Sequence, residues 1–152
     1  GSAAPRLNDL HLTYDQALEY HTILISEVVK MLCAGIVHGD LSEFNVLVDD
    51  DGPVIIDLPQ AVDAAANNNA SIMLERDVNN MASYFGRFAP ELLATSYGKE
   101  IWKLYESGNL TPDVKLTGQF KSSNKQADVK SIMREINDAR EEAIRRKYEQ
   151  EA

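Results

Sequence analysis

The stretch that decides the fold is residues 38–57, which read HGDLSEFNVLVDDDGPVIID. Two apolar runs rich in β-branched residues, 46–48 and 54–56, flank the turn signal Asp-Asp-Gly at residues 50–52. This pattern predicts a β-hairpin, whose paired strands lie roughly 5 Å apart. The hairpin would therefore bring Asn45, just before its first strand, beside Asp57, just after its second.

Asp40 lies on the loop that enters the hairpin and can reach the same end of it. Two carboxylates and a carboxamide would then converge, which provides hard oxygen ligands of the kind Mg²⁺ prefers and one acid free to accept a proton. An isolated His-x-Asp would indicate an ordinary loop with a surface or capping acid. Here the spacing His-x-Asp-x-x-x-x-Asn, the hairpin and the later Asp agree, and together they form the catalytic and metal-binding signature of protein kinases.

The composition is that of an ordinary soluble domain, with 152 residues of which 44% are hydrophobic and 26% charged. No apolar run approaches the roughly 20 residues that cross a bilayer. The single cysteine, Cys33, excludes an internal disulfide and fits a reducing cytoplasm. Its apolar neighbours predict a buried thiol. The net charge of -9 disfavours direct binding to nucleic acid, because phosphate recognition uses clustered Lys and Arg. We therefore predict a cytoplasmic protein without a membrane or nucleic-acid partner.

Helical periodicity predicts a mainly α-helical body around the small hairpin, an α+β fold. Thr13 and Gln16 form a capping-box pattern at the start of a long helix that ends near Gly35. His11 and His21 are interpreted as polar positions before and on this helix, without a metal-ligand partner.

Further helices are predicted after the hairpin. One begins at Asn69 or Ser71 and ends at Gly86, unless Asp77 caps a separate segment. Another has Pro90 in its first turn and is interrupted at Gly98.

The domain organisation follows from composition shifts along the chain. Residues 1–2 are interpreted as a cloning scar, 3–108 as the main domain, 109–126 as a polar connector and 127–152 as an amphipathic helix. The preferred role of this last helix is docking on the body, and partner binding is the alternative.

Several stretches closely resemble the RIO-type atypical serine/threonine protein kinases, especially their bacterial members. They are residues 3–7 (AAPRL), 34–47 (AGIVHGDLSEFNVL), 55–62 (IIDLPQAV) and 74–78 (LERDV). The resemblance extends to about Gly108 and implies the C-terminal lobe of a kinase.

The resemblance also implies roles for individual residues. Asp40 would be the catalytic base that orients a serine hydroxyl toward the γ-phosphate of ATP, while Asn45 and Asp57 would hold Mg²⁺ or Mn²⁺. In this family the residue matching Asp57 can itself accept phosphate, so Asp57 is a second catalytic residue and an ATPase cycle is implied. Leu47 and Ile56 match the apolar floor under adenine, although each also fits as hairpin core.

Some parts of a kinase do not occur in the sequence. Gly39 replaces the arginine that conventional kinases use to bind an activation-loop phosphate, and Ser42 stands where many of them have a lysine near the γ-phosphate. We find no Gly-rich phosphate loop, strand lysine or partner glutamate helix, which kinases need for phosphate positioning. The isolated chain is therefore expected to be inactive, with an N-terminal lobe and a protein substrate as its partners besides ATP.

Two alternative functions stay open at this point. A small-molecule phosphotransferase of the aminoglycoside or choline type shares the same spacing, although such enzymes usually carry further acids and large helical insertions after the metal-binding Asp. The chain could also be a non-catalytic half-kinase that serves as a binding module.

Overall fold

The computed structural model describes the backbone of residues 4–56, 61–120 and 125–151, with side chains of the last range described for 133–146. The predictions for residues 1–2 and Asp57 therefore lie outside the described residues. The chain divides into two compact units, Gly1–Gln119 and Phe120–Ala152. The helices are α1 (Tyr14–Cys33), α2 (Ala70–Phe85), α3 (Tyr97–Glu106) and α4 (Lys125–Glu151), and the strands are β1 (Ile36–Val37), β2 (Val46–Asp49), β3 (Gly52–Ile55) and β4 (Val62–Asp63).

Helix α1 begins with the predicted capping box, which is confirmed. The Thr13 hydroxyl accepts a hydrogen bond from the Gln16 N–H at 3.1 Å, and the Gln16 side chain accepts one from the Thr13 N–H at 3.0 Å. These two bonds satisfy two N–H groups that a helix start leaves unpaired. The helix ends at Cys33, and Gly35 follows with φ +82°, a left-handed conformation that glycine adopts without steric cost.

The predicted hairpin is also confirmed. β2 and β3 pair in antiparallel register, with Leu47 opposite Val54 and Asp49 opposite Gly52, which has φ +114° at the turn. The alternate positions Val46 and Val48 are buried, so the hairpin has an inner face that packs into the core.

A second strand pair, which the sequence did not reveal, encloses the loop and hairpin at residues 38–56 on both sides in the sequence. β1 pairs with β4 so that Val37 lies opposite Val62. Two-residue strands are too short to produce a periodic signal. This pair nevertheless holds Val37, just before His38, beside Val62, which follows the hairpin in the sequence.

Helix α2 supplies much of the core and is continuous, so Asp77 does not cap a separate segment. Its buried apolar positions are Ala70, Leu74, Val78, Met81, Ala82, Tyr84 and Phe85. The predicted interruption exists, but it lies at Thr95 and Ser96 rather than at Gly98, because a 3₁₀ helix at Pro90–Ala94 ends there before α3 begins. Gly98 lies inside α3, where a Cβ atom would be only 3.1 Å from the Cα of Glu75, so glycine permits the close approach of α3 to α2.

Two further expectations about single residues are corrected by burial. Cys33 is exposed rather than buried. His21 is 3% exposed, so it belongs to the core and not to the polar face of α1. The described part of the first unit also contains short 3₁₀ helices at Leu7–Asp9, Glu43–Asn45 and Pro90–Ala94, and a segment without helix or strand at 109–119.

The second unit contains α4, a strongly charged helix of 27 residues. Two large apolar side chains, Met133 and Ile144, are 54% and 55% exposed. Arg146 and Glu142 form an ion pair at 2.6 Å within the helix. In the described parts of the chain, no helix combines the length and apolar character that a membrane span requires.

Candidate active site

The loop that carries Asp40 is held in place by a buried acid on α2. One carboxylate oxygen of Asp77 accepts a hydrogen bond from the Gly39 N–H at 2.7 Å, and the other accepts one from the Leu41 N–H at 3.0 Å. Asp77 is 1% exposed. The backbone on both sides of Asp40 is thus attached to one carboxylate in the core.

Two neighbours of Asp77 on the same helix face bind the carbonyl groups of this loop. The Arg76 guanidinium donates to the Gly39 carbonyl at 2.5 Å, and the Asn80 amide donates to the Leu41 carbonyl at 3.1 Å. Both the N–H and the C=O of Gly39 and of Leu41 are therefore paired with α2. This bonding gives the loop a defined shape without regular secondary structure.

Gly39 has φ +89°, which explains the glycine before Asp40 in physical terms. A residue with a Cβ atom is strained in this region of φ, whereas glycine is not. The left-handed turn directs the Gly39 N–H to Asp77 and its carbonyl to Arg76. The backbone conformation at position 39 thus disfavours arginine or any other residue with a side chain.

His38 connects this loop to the end of the hairpin. It is buried, its Nδ1 accepts a hydrogen bond from the Asp40 N–H at 3.2 Å, and its Nε2 lies 2.8 Å from the carbonyl oxygen of Ile56. Because Nδ1 is the acceptor, the proton is assigned to Nε2, which donates to Ile56. One imidazole ring therefore fixes the spacing between Asp40 and the residue just before Asp57.

Asn45 occupies the open end of the hairpin, as the sequence predicted. Its backbone carbonyl accepts a hydrogen bond from the Ile56 N–H at 2.7 Å, and its side-chain oxygen accepts one from the Ser42 hydroxyl at 2.7 Å. Asn45 is buried. The structure thus brings Asn45 next to Ile56, and the next residue in the chain is Asp57, which lies outside the described residues.

The outer face of the hairpin is apolar. Leu47 and Val54 form a cross-strand pair on this face, and Ile56 follows in the same alternation. Leu47 and Ile56 are half-buried, and Val54 is 45% exposed. The side chains proposed for the adenine floor therefore share a partly exposed apolar surface next to Asn45.

Sequence reasoning missed the part that α2 plays in this site. Asp77 lies three residues after Leu74 and four before Met81, on the apolar stripe of the helix. An acid on a buried stripe is an informative signal, since carboxylates are almost never fully buried unless they are paired. That position could have identified Asp77 as the partner of a backbone loop.

The electrostatics of Asp77 reflect a balance between burial and hydrogen bonding. Burial raises the pKa of Asp77, while the hydrogen bonds from Leu41 and Gly39 and the nearby charge of Arg76 oppose that rise. Asp40, in contrast, is exposed to solvent. In the described part of the chain, no group of three His, Cys, Asp or Glu side chains is arranged to hold a metal ion.

Comparisons with known proteins agree with this arrangement. A family model described as the RIO domain matches residues 1–97. The chain is 47% identical to the RIO-type serine/threonine-protein kinase Rio2 of Methanocaldococcus jannaschii over 66 residues, 43% of this chain and 24% of that protein. It is 40% identical to Rio1 of the same organism over 89 residues, 57% of this chain and 29% of that protein.

A eukaryotic relative shows the same relationship at lower identity. The serine/threonine-protein kinase rio2 of Schizosaccharomyces pombe is 29% identical over 106 residues, 69% of this chain and 30% of that protein. The fold and loop define a protein-kinase-like domain of the α+β class. The chain belongs to the RIO domain family, which confirms the resemblance to RIO-type kinases, and it spans less than a third of the length of these relatives.

Proposed function

We propose that the chain is the C-terminal lobe of a RIO-type serine/threonine protein kinase that transfers the γ-phosphoryl group of ATP to a serine hydroxyl. The proposal rests on family membership and on the relatives' names, which describe serine/threonine-protein kinases. The single observation that carries it is the loop geometry. Asp40 is exposed, while the residues on both sides of it are bound to Asp77.

Asp40 is the proposed catalytic base. A base must lie within hydrogen-bond reach of the proton it accepts, and it must be held there while the substrate binds. The contact of the Asp40 N–H with His38 and the two contacts with Asp77 hold the backbone, and the carboxylate itself stays open to solvent. This combination of a fixed backbone and an accessible acid suits the transfer of a proton from a hydroxyl group.

The proposed nucleotide site lies at the open end of the hairpin. Leu47 and Ile56 offer an apolar surface for adenine, and the Asn45 side-chain oxygen is a hard ligand that its hydrogen bond to Ser42 orients. Asp57, the next residue after Ile56, is the second proposed ligand. Mg²⁺ or Mn²⁺ held by Asn45 and Asp57 would place positive charge beside the phosphates, in a chain whose own net charge is -9.

Asp57 is also proposed to accept phosphate in an ATPase cycle, as the family resemblance implies. In that cycle an Asp57 carboxylate oxygen bonds to the γ-phosphorus, ADP leaves, and water then cleaves the aspartyl-phosphate to release inorganic phosphate. Protein phosphorylation and ATP hydrolysis are thus two proposed outcomes of one site.

We further propose that the chain acts together with an N-terminal lobe. The Gly-rich loop, strand lysine and helix glutamate that kinases use for phosphate positioning do not occur in the printed sequence. The chain alone should therefore bind ATP weakly and transfer phosphate slowly or not at all. A protein substrate and the N-terminal lobe are the proposed partners.

The test uses a protein in which this chain is joined to its proposed N-terminal lobe. Asp40→Ala should abolish protein phosphorylation, measured by radiolabel transfer from ATP, while nucleotide affinity measured by calorimetry stays close to wild type. Asp51→Ala is the matched control, because it removes an exposed carboxylate from the hairpin turn instead. Full phosphorylation by the Asp40→Ala protein would refute the assignment, and transfer to small alcohols but never to protein would favour a small-molecule phosphotransferase.

A further inference from the structure

A cavity of ≈ 440 Å³ lies outside the proposed kinase site, between one face of α1, the start of α3 and the segment that follows α3. His21, Ile25 and Val29 line it from α1, Tyr97 lines it from α3, and Asp113 and Leu116 line it from the following segment. None of its described lining residues belongs to the loop or hairpin at 38–56. Its volume lies within the range of about 300–1,000 Å³ that small-molecule sites occupy.

The wall formed by residues 112–116 is held in place by polar contacts beyond it. The Glu100 carboxylate accepts hydrogen bonds from the N–H groups of Thr117 and Gly118, both at 2.9 Å. The Gly118 carbonyl accepts one from the Ser96 N–H at 2.7 Å. These contacts attach the segment to α3 at two points, so the cavity is a built feature of the first unit.

Gly118 also fits closely under the aromatic wall. It has φ +75°, and a Cβ atom there would lie 3.0 Å from the Tyr97 ring. The Tyr97 ring in turn lies 5.3 Å from the His21 ring, between centroids. Tyr97 is thus enclosed between the segment and His21, which limits its freedom to collapse into the cavity.

His21 forms part of the inner wall of the cavity. It is 3% exposed, and its buried Nε2 atom makes no hydrogen bond to a described residue. A buried polar atom without a partner destabilises the folded state. Burial lowers the pKa of His21 to about 4, so the ring is neutral near pH 7 and has one nitrogen that can accept a hydrogen bond.

The charge of the lining restricts the class of ligand. Among the described lining residues Asp113 is the one with a formal charge at neutral pH, it is exposed, and no described Lys or Arg pairs with it. Ile25, Val29 and Leu116 add apolar surface to a wall that is about as polar as it is apolar. An anion would be repelled by Asp113, whereas an ammonium group would be attracted to it.

We propose that this cavity is a binding site for a small amine, a molecule with an apolar body and one positively charged nitrogen. The apolar body packs against the α1 face and Tyr97. The Asp113 carboxylate receives the ammonium charge, and the His21 ring, which is neutral near pH 7, lines the inner wall without repelling it. The site is separate from the proposed nucleotide site and its test does not depend on kinase activity.

The probe is 2-phenylethylamine, added to the ¹⁵N-labelled full chain and followed through backbone amide shifts. We expect saturable shifts concentrated at residues 21–29 and 112–116, with a dissociation constant of about 1 mM or tighter. Two matched probes test the charge. 2-Phenylethanol should bind more weakly, and phenylacetate should not bind.

Two variants test the location. Asp113→Asn should weaken 2-phenylethylamine about fivefold, in line with an exposed charge pair, whereas Asp51→Asn should not change its affinity. Ser26→Phe places a ring in the cavity and should abolish the shifts, with folding verified by thermal unfolding. The proposal is overturned if no saturable shifts occur at the cavity, if phenylacetate binds as well as the amine, or if the folded Asp113→Asn or Ser26→Phe chain binds like wild type.

Discussion

Asp77 on α2 accepts a hydrogen bond from the N–H of Gly39, 38 positions earlier in the chain, at 2.7 Å. The same carboxylate binds the Leu41 N–H at 3.0 Å. Asp40 lies between Gly39 and Leu41 on this loop. Its conformation is therefore stabilised by a helix that follows the hairpin, through contacts that are distant in sequence.

The first prediction concerns Asp77→Asn. The amide keeps the size of the side chain but replaces one acceptor oxygen by an NH₂ group, which faces a backbone N–H instead of accepting from it. Because the site is buried, we expect the free energy of unfolding to fall by about 1–3 kcal/mol. Urea unfolding followed by circular dichroism measures this change.

A matched control lies two residues earlier on α2. Glu75→Gln alters an acid whose ion pair with Lys99 is long, at 4.0 Å, and partly exposed. Exposed pairs contribute about 0–1 kcal/mol, so its effect should be clearly smaller. Equal stability loss in Asp77→Asn and Glu75→Gln would contradict a special role for the Asp77 carboxylate.

The second prediction separates the effect of backbone strain on stability from the effect of the Gly39 contacts on activity. Gly39→Ala and Gly35→Ala both place a Cβ atom at a left-handed φ, +89° and +82° respectively. Each should lower stability by about 1–2 kcal/mol. In the protein that includes the N-terminal lobe, Gly39→Ala should also reduce phosphoryl transfer, because it disturbs the bonds to Asp77 and Arg76. A similar loss of activity in Gly35→Ala would mean that reduced stability alone explains the effect.

The third prediction concerns nucleotide binding through Asp57. In the same two-lobe protein, Asp57→Ala should weaken the binding of Mg-ATP, because the loss of a metal ligand removes charge compensation for the phosphates. Calorimetry with and without Mg²⁺ gives the measurement, and the affinity for ATP without metal should change little. Asp51→Ala serves again as the control of equal charge. Equal Mg-ATP affinity in wild type and Asp57→Ala would contradict the ligand assignment.

The elements that sequence predicts well are those with local signals. The capping box at Thr13 and Gln16 and the hairpin around Gly52 depend on residues within a few positions of each other, so their patterns can be recognised directly. The convergence of Asn45 with the end of the second strand follows from hairpin pairing alone. Asp40 could be named from the spacing of the motif.

The features that sequence did not reveal depend on tertiary contacts. The position of Asp77 on an apolar stripe indicates a buried partner, but nothing local shows that this partner is the backbone around Asp40. Nor does anything local show that Gly98 is a contact point between α2 and α3. Histidine is a polar residue, so the sequence predicts a polar position for His21, yet its packing against Phe85 and Tyr97 places it in the core. Each of these outcomes is decided by which helix faces which, and a single sequence does not contain that information directly.

The last prediction uses the burial of His21, whose pKa is lowered to about 4 from an ordinary value of 6.5. Above pH 6.5 the ring is neutral in both the folded and the unfolded chain, so its contribution to stability does not change there. As the pH falls from 6.5 toward 4, the unfolded chain binds a proton at His21 while the folded chain does not. Stability is therefore lost across this window, by roughly 3 kcal/mol in total at lower pH.

Urea unfolding at several pH values between 6.5 and 4 tests this loss by comparing wild type with two variants. His21→Leu should remove the His21 component of the pH dependence, because no group that titrates in this window remains at that position. His11→Leu, which replaces an exposed histidine just before α1, should keep it, because the buried ring is still present. If the pH dependence of His21→Leu matched that of wild type, His21 would be protonated equally well in the folded and the unfolded chain. That result would contradict the burial of its Nε2 atom without a hydrogen-bond partner.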